Sequence, residues 1–286
     1  GRVSIVAAQA GDGNWNAAPD VTNTYEVAKA AAGVILENLS QTYDGAPKVV
    51  TAATVPPGLA VDLTYDGAAT APTNAGSYAV TGTVSDARYQ GVAADMLVVA
   101  KAAAAMTLEG LAQTYDGSPK VVTAATVPAG LAVDFTYSGS PAAPVAAGSY
   151  AVTGTVNDLN YAGSANSTLS VAKAGQTITF PAIDAQVATA TVALAATASG
   201  GLPVEYSVAS GPAVISGGSN LTFTGAGTVS IAAAQPGDAN WNPAPNVTNT
   251  FAVAKAAAAV TLENLVQAYD GAPKSVTAVT VPPGLA

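Results

Sequence analysis

The chain of 286 residues contains no cysteine and no histidine. Without cysteine there are no disulfides, no thiolate metal sites and no cysteine nucleophile. Without histidine the commonest general base and the commonest transition-metal ligand are missing too. Aromatic residues make up 6% of the chain and charged residues 9%. Any folded unit must therefore be small, with a thin core of Val, Leu, Ile and single Tyr side chains. The hydrophobic fraction of 50% overstates that core, because much of it is alanine. A disordered chain carries more charge and fewer β-branched residues than this one. Two to four folded modules are expected at this length.

The scarce charge is mostly of one sign, for a net charge of -9 with nine basic residues spread singly. That argues against binding nucleic acid through its phosphates and against a polybasic membrane contact. No uninterrupted apolar run approaches the roughly 18 to 20 residues of a membrane span. Gly1-Arg2-Val3 does not open a signal peptide, so any export signal is expected outside this segment.

What the sequence has in quantity is repetition. Gln41-Thr42-Tyr43-Asp44-Gly45-Ala46-Pro47-Lys48 returns 72 residues later as Gln113 to Lys120, with Ser118 for Ala46, and again as Gln267 to Lys274, with Ala268 for Thr42. Gly76-Ser77-Tyr78-Ala79-Val80-Thr81-Gly82-Thr83-Val84 is repeated identically as Gly148 to Val156. A turn returning at fixed spacing marks the same point in successive copies of one unit. A different unit follows and closes on Gly237-Asp238-Ala239-Asn240-Trp241-Asn242-Pro243-Ala244-Pro245. The first thirty residues match that ending, with Trp15 corresponding to Trp241 at a shift of 226, the same shift that relates Tyr43 to Tyr269. The expected organisation is therefore 1–30, the end of an 82-residue unit; 31–101 and 102–173, two 72-residue units; 174–256, a complete 82-residue unit; and 257–286, the start of another 72-residue unit. The end pieces belong to different units and cannot complete each other. Each is expected to leave a half-built sheet with an exposed edge, as in a window on a longer chain.

The local pattern is that of strands. Tyr78, Val80, Gly82 and Val84 alternate with Ala79, Thr81 and Thr83, the period of a half-buried strand. Val34–Leu39, Lys48–Val55, Ala60–Tyr65 and Ala93–Lys101 are further candidates, separated by Pro56-Pro57-Gly58 and Asn74-Ala75-Gly76. Short strands at such spacing predict antiparallel sandwiches. The alanine runs 102–105 and 256–259 are too short to nucleate a helix and are read as the beginning of the next first strand. The fold class expected is all-β, with tandem small Ig-like sandwiches in an extended array.

The Tyr-Asp-Gly turn, the Ala-Gly-Ser-Tyr-Ala-Val-Thr-Gly-Thr-Val strand and the loop Asp158-Leu159-Asn160-Tyr161-Ala162-Gly163 resemble the MBG/YDG repeat of large exported bacterial proteins. The 82-residue unit is similar to bacterial immunoglobulin-like domains. That similarity rests on Gln176-Thr177-Ile178-Thr179-Phe180, Ser199-Gly200-Gly201-Leu202-Pro203-Val204, Gly225-Ala226-Gly227-Thr228-Val229 and the loop from Gly237 to Pro245. The resemblance implies the stalk of an adhesin-like or fibrous surface protein, secreted or on the cell surface, with sugar binding suggested for some such repeats. The first unit departs by carrying Arg88 where the second has Asn160.

Several residues are of types that can carry chemistry. Tyr43, Tyr115 and Tyr269 are candidate stacking platforms for a glycan. The preferred reading is a tyrosine packed beside a tight turn, its hydroxyl bonded to backbone, with Gly45 at positive φ. Trp15 and Trp241 are candidate ligand contacts, read more simply as plugs pinning a long loop to the sandwich edge. Asp12, Asp86, Asp158, Asp238 and the Tyr-Asp-Gly aspartates Asp44, Asp116 and Asp270 are candidates for Ca²⁺ at the joints, but calcium needs six to eight oxygens and these isolated acids suit Asx turns. Lys29, Lys101, Lys173 and Lys255 end their units and are read as solvated charges that block stray strand pairing, in preference to isopeptide crosslinks. Sequons at Asn38, Asn166, Asn220 and Asn246 are expected by chance in this composition. No catalytic constellation is present, and an enzyme has little reason to repeat its whole chain. A rod or fibre does, since length is its product. The sequence thus predicts a structural repeat segment without enzymatic activity or cofactor, self-associating into a fibre or surface array. The alternative is a multivalent carbohydrate-binding module.

Overall fold

The computed structural model describes residues 1–285, and every regular element among them is a strand. In the first 72-residue unit a four-stranded sheet runs in the order Ser40–Thr42, Val92–Ala100, Gly76–Val84, Val61–Tyr65. The alternation in Gly76–Val84 is realised as predicted: Val80 and Val84 are buried while Ala79 and Thr83 are exposed. An antiparallel pair, Gly33–Glu37 with Thr51–Val55, supplies the facing layer. Val50, Tyr65, Val80, Leu97 and Val99 form the core, with Leu36 and Leu63 packed against it. Burying such a side chain stabilises by about 1.5–3 kcal/mol, so a handful of residues must hold each sandwich.

Two details depart from a plain antiparallel sandwich. The edge strand Ser40–Thr42 pairs in parallel with Val98–Ala100. The strand predicted from Lys48 begins only at Thr51, because the preceding backbone is engaged elsewhere. Lys48 N donates to Pro72 O at 2.8 Å, and Val50 N donates to the Tyr65 hydroxyl at 3.0 Å. The layers meet at Gly82, where an added Cβ would lie 2.9 Å from Leu36 Cδ2 and 3.1 Å from Val61 Cγ1.

By its internal contacts the chain divides into two units. The first holds residues 1–111, 121–143 and 150–169, and the second holds 112–120, 144–149 and everything from 170 onward. In the first, the second module repeats the first: Ala105–Glu109 pairs with Thr123–Val127 and Val133–Tyr137 with Gly148–Val156, all antiparallel. The bond from Val122 N to the Tyr137 hydroxyl is again 3.0 Å. The alanine run at 102–105 is extended as read, Ala102–Ala103 pairing in parallel with Tyr161–Ala162.

The second unit contains the parallel pair Ala112–Thr114 with Ser170–Ala172 and the complete 82-residue module. Its larger sheet has the order Gln186–Val187, Ala244–Ala254, Gly227–Gln235, Glu205–Ser210. The smaller has Thr191–Ala193, Asn220–Phe223, Ala213–Ser216. Leu194, Leu221, Val229, Ile231, Phe251 and Val253 form the core, with Phe223 and Phe251 edge to face at 6.0 Å.

Each end piece is a hairpin, Arg2–Gln9 with Ala18–Glu26 in the first unit and Ala259–Glu263 with Thr277–Val281 in the second. Ile5 is 54% exposed, whereas its counterpart Ile231 in the complete module is fully buried.

Candidate functional site at the module joints

The Tyr-Asp-Gly turn is built around an ion pair. Gly45 adopts φ 86°, a region open to glycine at little cost, and Asp44 Oδ1 accepts Ala46 N at 2.9 Å. That places the Asp44 carboxylate 2.5 Å from Lys48 Nζ, on a lysine whose side chain is almost wholly buried. Asp116 and Lys120 repeat the pair at 2.5 Å, and Asp270 and Lys274 also pair, there with a more exposed lysine. The lysine hydrogen bond, aided by the bond from the residue two ahead, holds each carboxyl below its ordinary value of 3.8. A buried ammonium keeps its charge only beside such a partner.

A second recurring element is a loop tip opened by an aspartate. Asp158 Oδ1 accepts Asn160 N at 2.7 Å and Tyr161 N at 2.9 Å. Asp238 does the same for Asn240 N and Trp241 N, Asp86 for Arg88 N and Tyr89 N, and Asp12 for Asn14 N and Trp15 N. These are the Asx turns expected from sequence. Among the described residues no group of three or more acids gathers where a metal ion could sit.

Turn and tip meet at the joints. In the first unit, Lys101 Nζ donates to Asp158 O at 2.6 Å. Asn160 Oδ1 accepts Ala75 N at 2.9 Å, and its Nδ2 donates to Asn74 Oδ1 at 3.2 Å. The Tyr161 ring stands edge-on to Tyr43, centroids 5.4 Å apart at 81°, a geometry favoured by the ring quadrupoles. In the second unit, Lys173 Nζ donates to Asp238 O at 2.6 Å, Asn240 Oδ1 accepts Ala147 N at 2.9 Å, and Trp241 stands edge-on to Tyr115 at 5.6 Å and 83°. At the joint after residue 29, Lys29 Nζ donates to Asp86 O at 2.6 Å. No slack lies between modules: Ala102, directly after Lys101, is already paired with Tyr161.

The five candidate ligand contacts are thus placed unequally. Tyr43, Tyr115 and Trp241 are half-buried in joints, whereas Trp15 is 75% and Tyr269 94% exposed. Two readings need correction. The backbone-bonded hydroxyl expected of Tyr43 and Tyr115 belongs to Tyr65 and Tyr137, which lie inside the core. The lysines ending the units are exposed, but at 29, 101 and 173 the ammonium is committed to the next tip. Trp241 plugs its loop as expected, lying where a Cβ on Gly200 would come within 3.0 Å of its ring, and it also faces the preceding module. Asn160 and Asn240, read from sequence only as loop residues, turn out to bond the preceding module. The signal was the fixed distance from unit-ending lysine to tip aspartate, 57 residues at two joints and 65 at the third.

The MBG domain family matches residues 32–103, 104–175 and 258–286. None of the curated proteins compared matches the chain. Among solved structures, the immunoglobulin domains 1–5 of Sidekick-1 align over 78% of this chain and 58% of theirs, at 13% identity and TM-score 0.35. Domains 1–6 of the surface layer protein SbsC align over 98% and 53%, at 12% identity and TM-score 0.26. Mouse protocadherin-24 EC1–3 aligns over 81% and 98%, at 13% identity and TM-score 0.30. The chain thus spans little more than half of the first two. At such identity nothing about ligand or partner passes between these proteins.

Proposed function

This chain belongs to the MBG domain family, and we propose that it is a structural repeat segment of a long extracellular bacterial stalk or filament protein of the adhesin kind. The observation that carries the reading is the joint. The same lysine-to-carbonyl bond, 2.6 Å long, recurs at three successive module boundaries, and the first residues of the next module are already in a ladder. Load applied along such a chain meets main-chain hydrogen bonds and a joint without spare length. Weakly charged, alanine-rich faces suit lateral association into a fibre.

The carbohydrate-binding alternative uses the same aromatic rings, and Tyr43, Tyr115 and Trp241 are engaged within joints. As proposed, the segment is not an enzyme and needs no cofactor. Small-angle scattering on the whole chain tests the reading. A compact globule of this length has a radius of gyration of about 19 Å; the stalk requires a clearly larger value, unchanged by EDTA and rising with concentration if chains associate. A value near the compact figure sinks the proposal. On a glycan array, binding lost in Tyr115→Ala without unfolding would favour the alternative.

A further inference from the structure

Four loop tips share one pattern of hydrogen bonds from backbone N–H to the opening aspartate, and the residue two after that aspartate is asparagine in three of them and arginine in one: Asn14, Arg88, Asn160 and Asn240. We propose that this residue is the specificity determinant of the joint. Asparagine there recognises a preceding module that carries the Tyr-Asp-Gly turn, and arginine marks a joint with a module that lacks it.

The lysine contact cannot discriminate, because it ends on a backbone carbonyl and recurs at the Arg88 tip as at the others. The side chain of the tip residue can. In the first unit, Asn160 offers Oδ1 to the backbone N–H of Ala75 and Nδ2 to Asn74. In the second, Asn240 offers Oδ1 to Ala147. Each contact falls on the loop directly before the Gly-Ser-Tyr strand, and each is accompanied by the tip aromatic meeting Tyr43 or Tyr115. What the N–H of Ala75 requires is an acceptor, and a guanidinium has five donors and none. Arginine at this position would leave that N–H unpaired and bring a charge against it. The module ahead of Arg88 is of the 82-residue kind, whose complete copy at 174–256 contains no Tyr-Asp-Gly. Asn14 and Trp15 repeat the pair Asn240-Trp241, so the exposed tip Asp12–Trp15 belongs to the class that meets a module carrying such a turn.

This inference deepens the stalk reading and rests on it only for its purpose; its test reads a joint and leaves the length of the chain aside. The absence of cysteine allows two spin labels to be placed cleanly, at Thr83→Cys and Thr155→Cys, equivalent exposed positions in the two modules that flank the Asn160 joint. Pulsed electron paramagnetic resonance on the whole chain is expected to show one narrow distance. Asn160→Arg should raise the fraction outside that peak roughly fivefold, the population change that goes with losing one ordinary hydrogen bond. Asn160→Asp, which retains the acceptor, should hold the narrow distance. Melting curves of both variants separate loss of the joint from loss of the fold. If Asn160→Arg unfolds, Asn160→Leu, neutral and without an acceptor, takes its place with the same expected rise. A narrow peak in the folded arginine or leucine variant overturns the proposal, as does equal broadening in Asn160→Asp.

Discussion

Asp44 and Lys48 show what a single pair contributes here. The carboxylate is exposed while the ammonium is almost enclosed, so the acid is the member through which pH acts. Its carboxyl is held below the ordinary value by Lys48 first and by Ala46 N second. A group whose pKa is depressed by folding contributes stability above its unfolded pKa, and that contribution is lost as pH falls through the folded one. Melting temperature is therefore expected to drop on acidification below about pH 4. In Asp44→Asn/Asp116→Asn the chain should melt lower at neutral pH and lose less on acidification, as followed by circular dichroism. Equal acid sensitivity in both chains would mean that the pair contributes nothing measurable.

At the scale of the element, each small sandwich depends on how closely its two layers approach. Gly82 and Gly154 lie on equivalent inner strands of their modules where the facing pair of strands comes nearest, Leu36 Cδ2 at 2.9 Å from one added Cβ and Met106 Sδ at 2.8 Å from the other. The strand would accept alanine by its backbone, so the obstacle is the opposite layer. Gly82→Ala should destabilise its module by about 1–3 kcal/mol, the usual cost of overpacking, as measured by urea denaturation. Gly45 offers a contrast, because nothing lies within 4 Å of its added Cβ and its constraint is the positive φ alone.

For the whole molecule, repetition makes a mechanical expectation. Pulled by its ends in a force microscope, each 72-residue module should unfold as one event. Its length gain is about 220 Å, from ~3.6 Å per extended residue less the folded length of ~40 Å. The 82-residue module should add about 250 Å on the same basis. Events of both sizes in one trace are the expected record. A smooth, featureless extension would remove the tandem-module account altogether.

Sequence alone determined the periods of 72 and 226 residues and the all-β class. These follow from alternation and from repeated turns, which are local and survive without any knowledge of partners. It also placed the Asx turns at Asp12, Asp86, Asp158 and Asp238, since an aspartate bonding its own loop needs nothing from elsewhere. Which tyrosine would be core and which would face a neighbour was not legible: Tyr43 and Tyr65 are the same residue in similar strand-end settings, and only the layer packing separates them. The roles of Lys101 and Asn160 were hidden for the same reason. Their partners lie 57 and 85 residues away, and a hydrogen bond across that distance exists only once two modules have been set end to end.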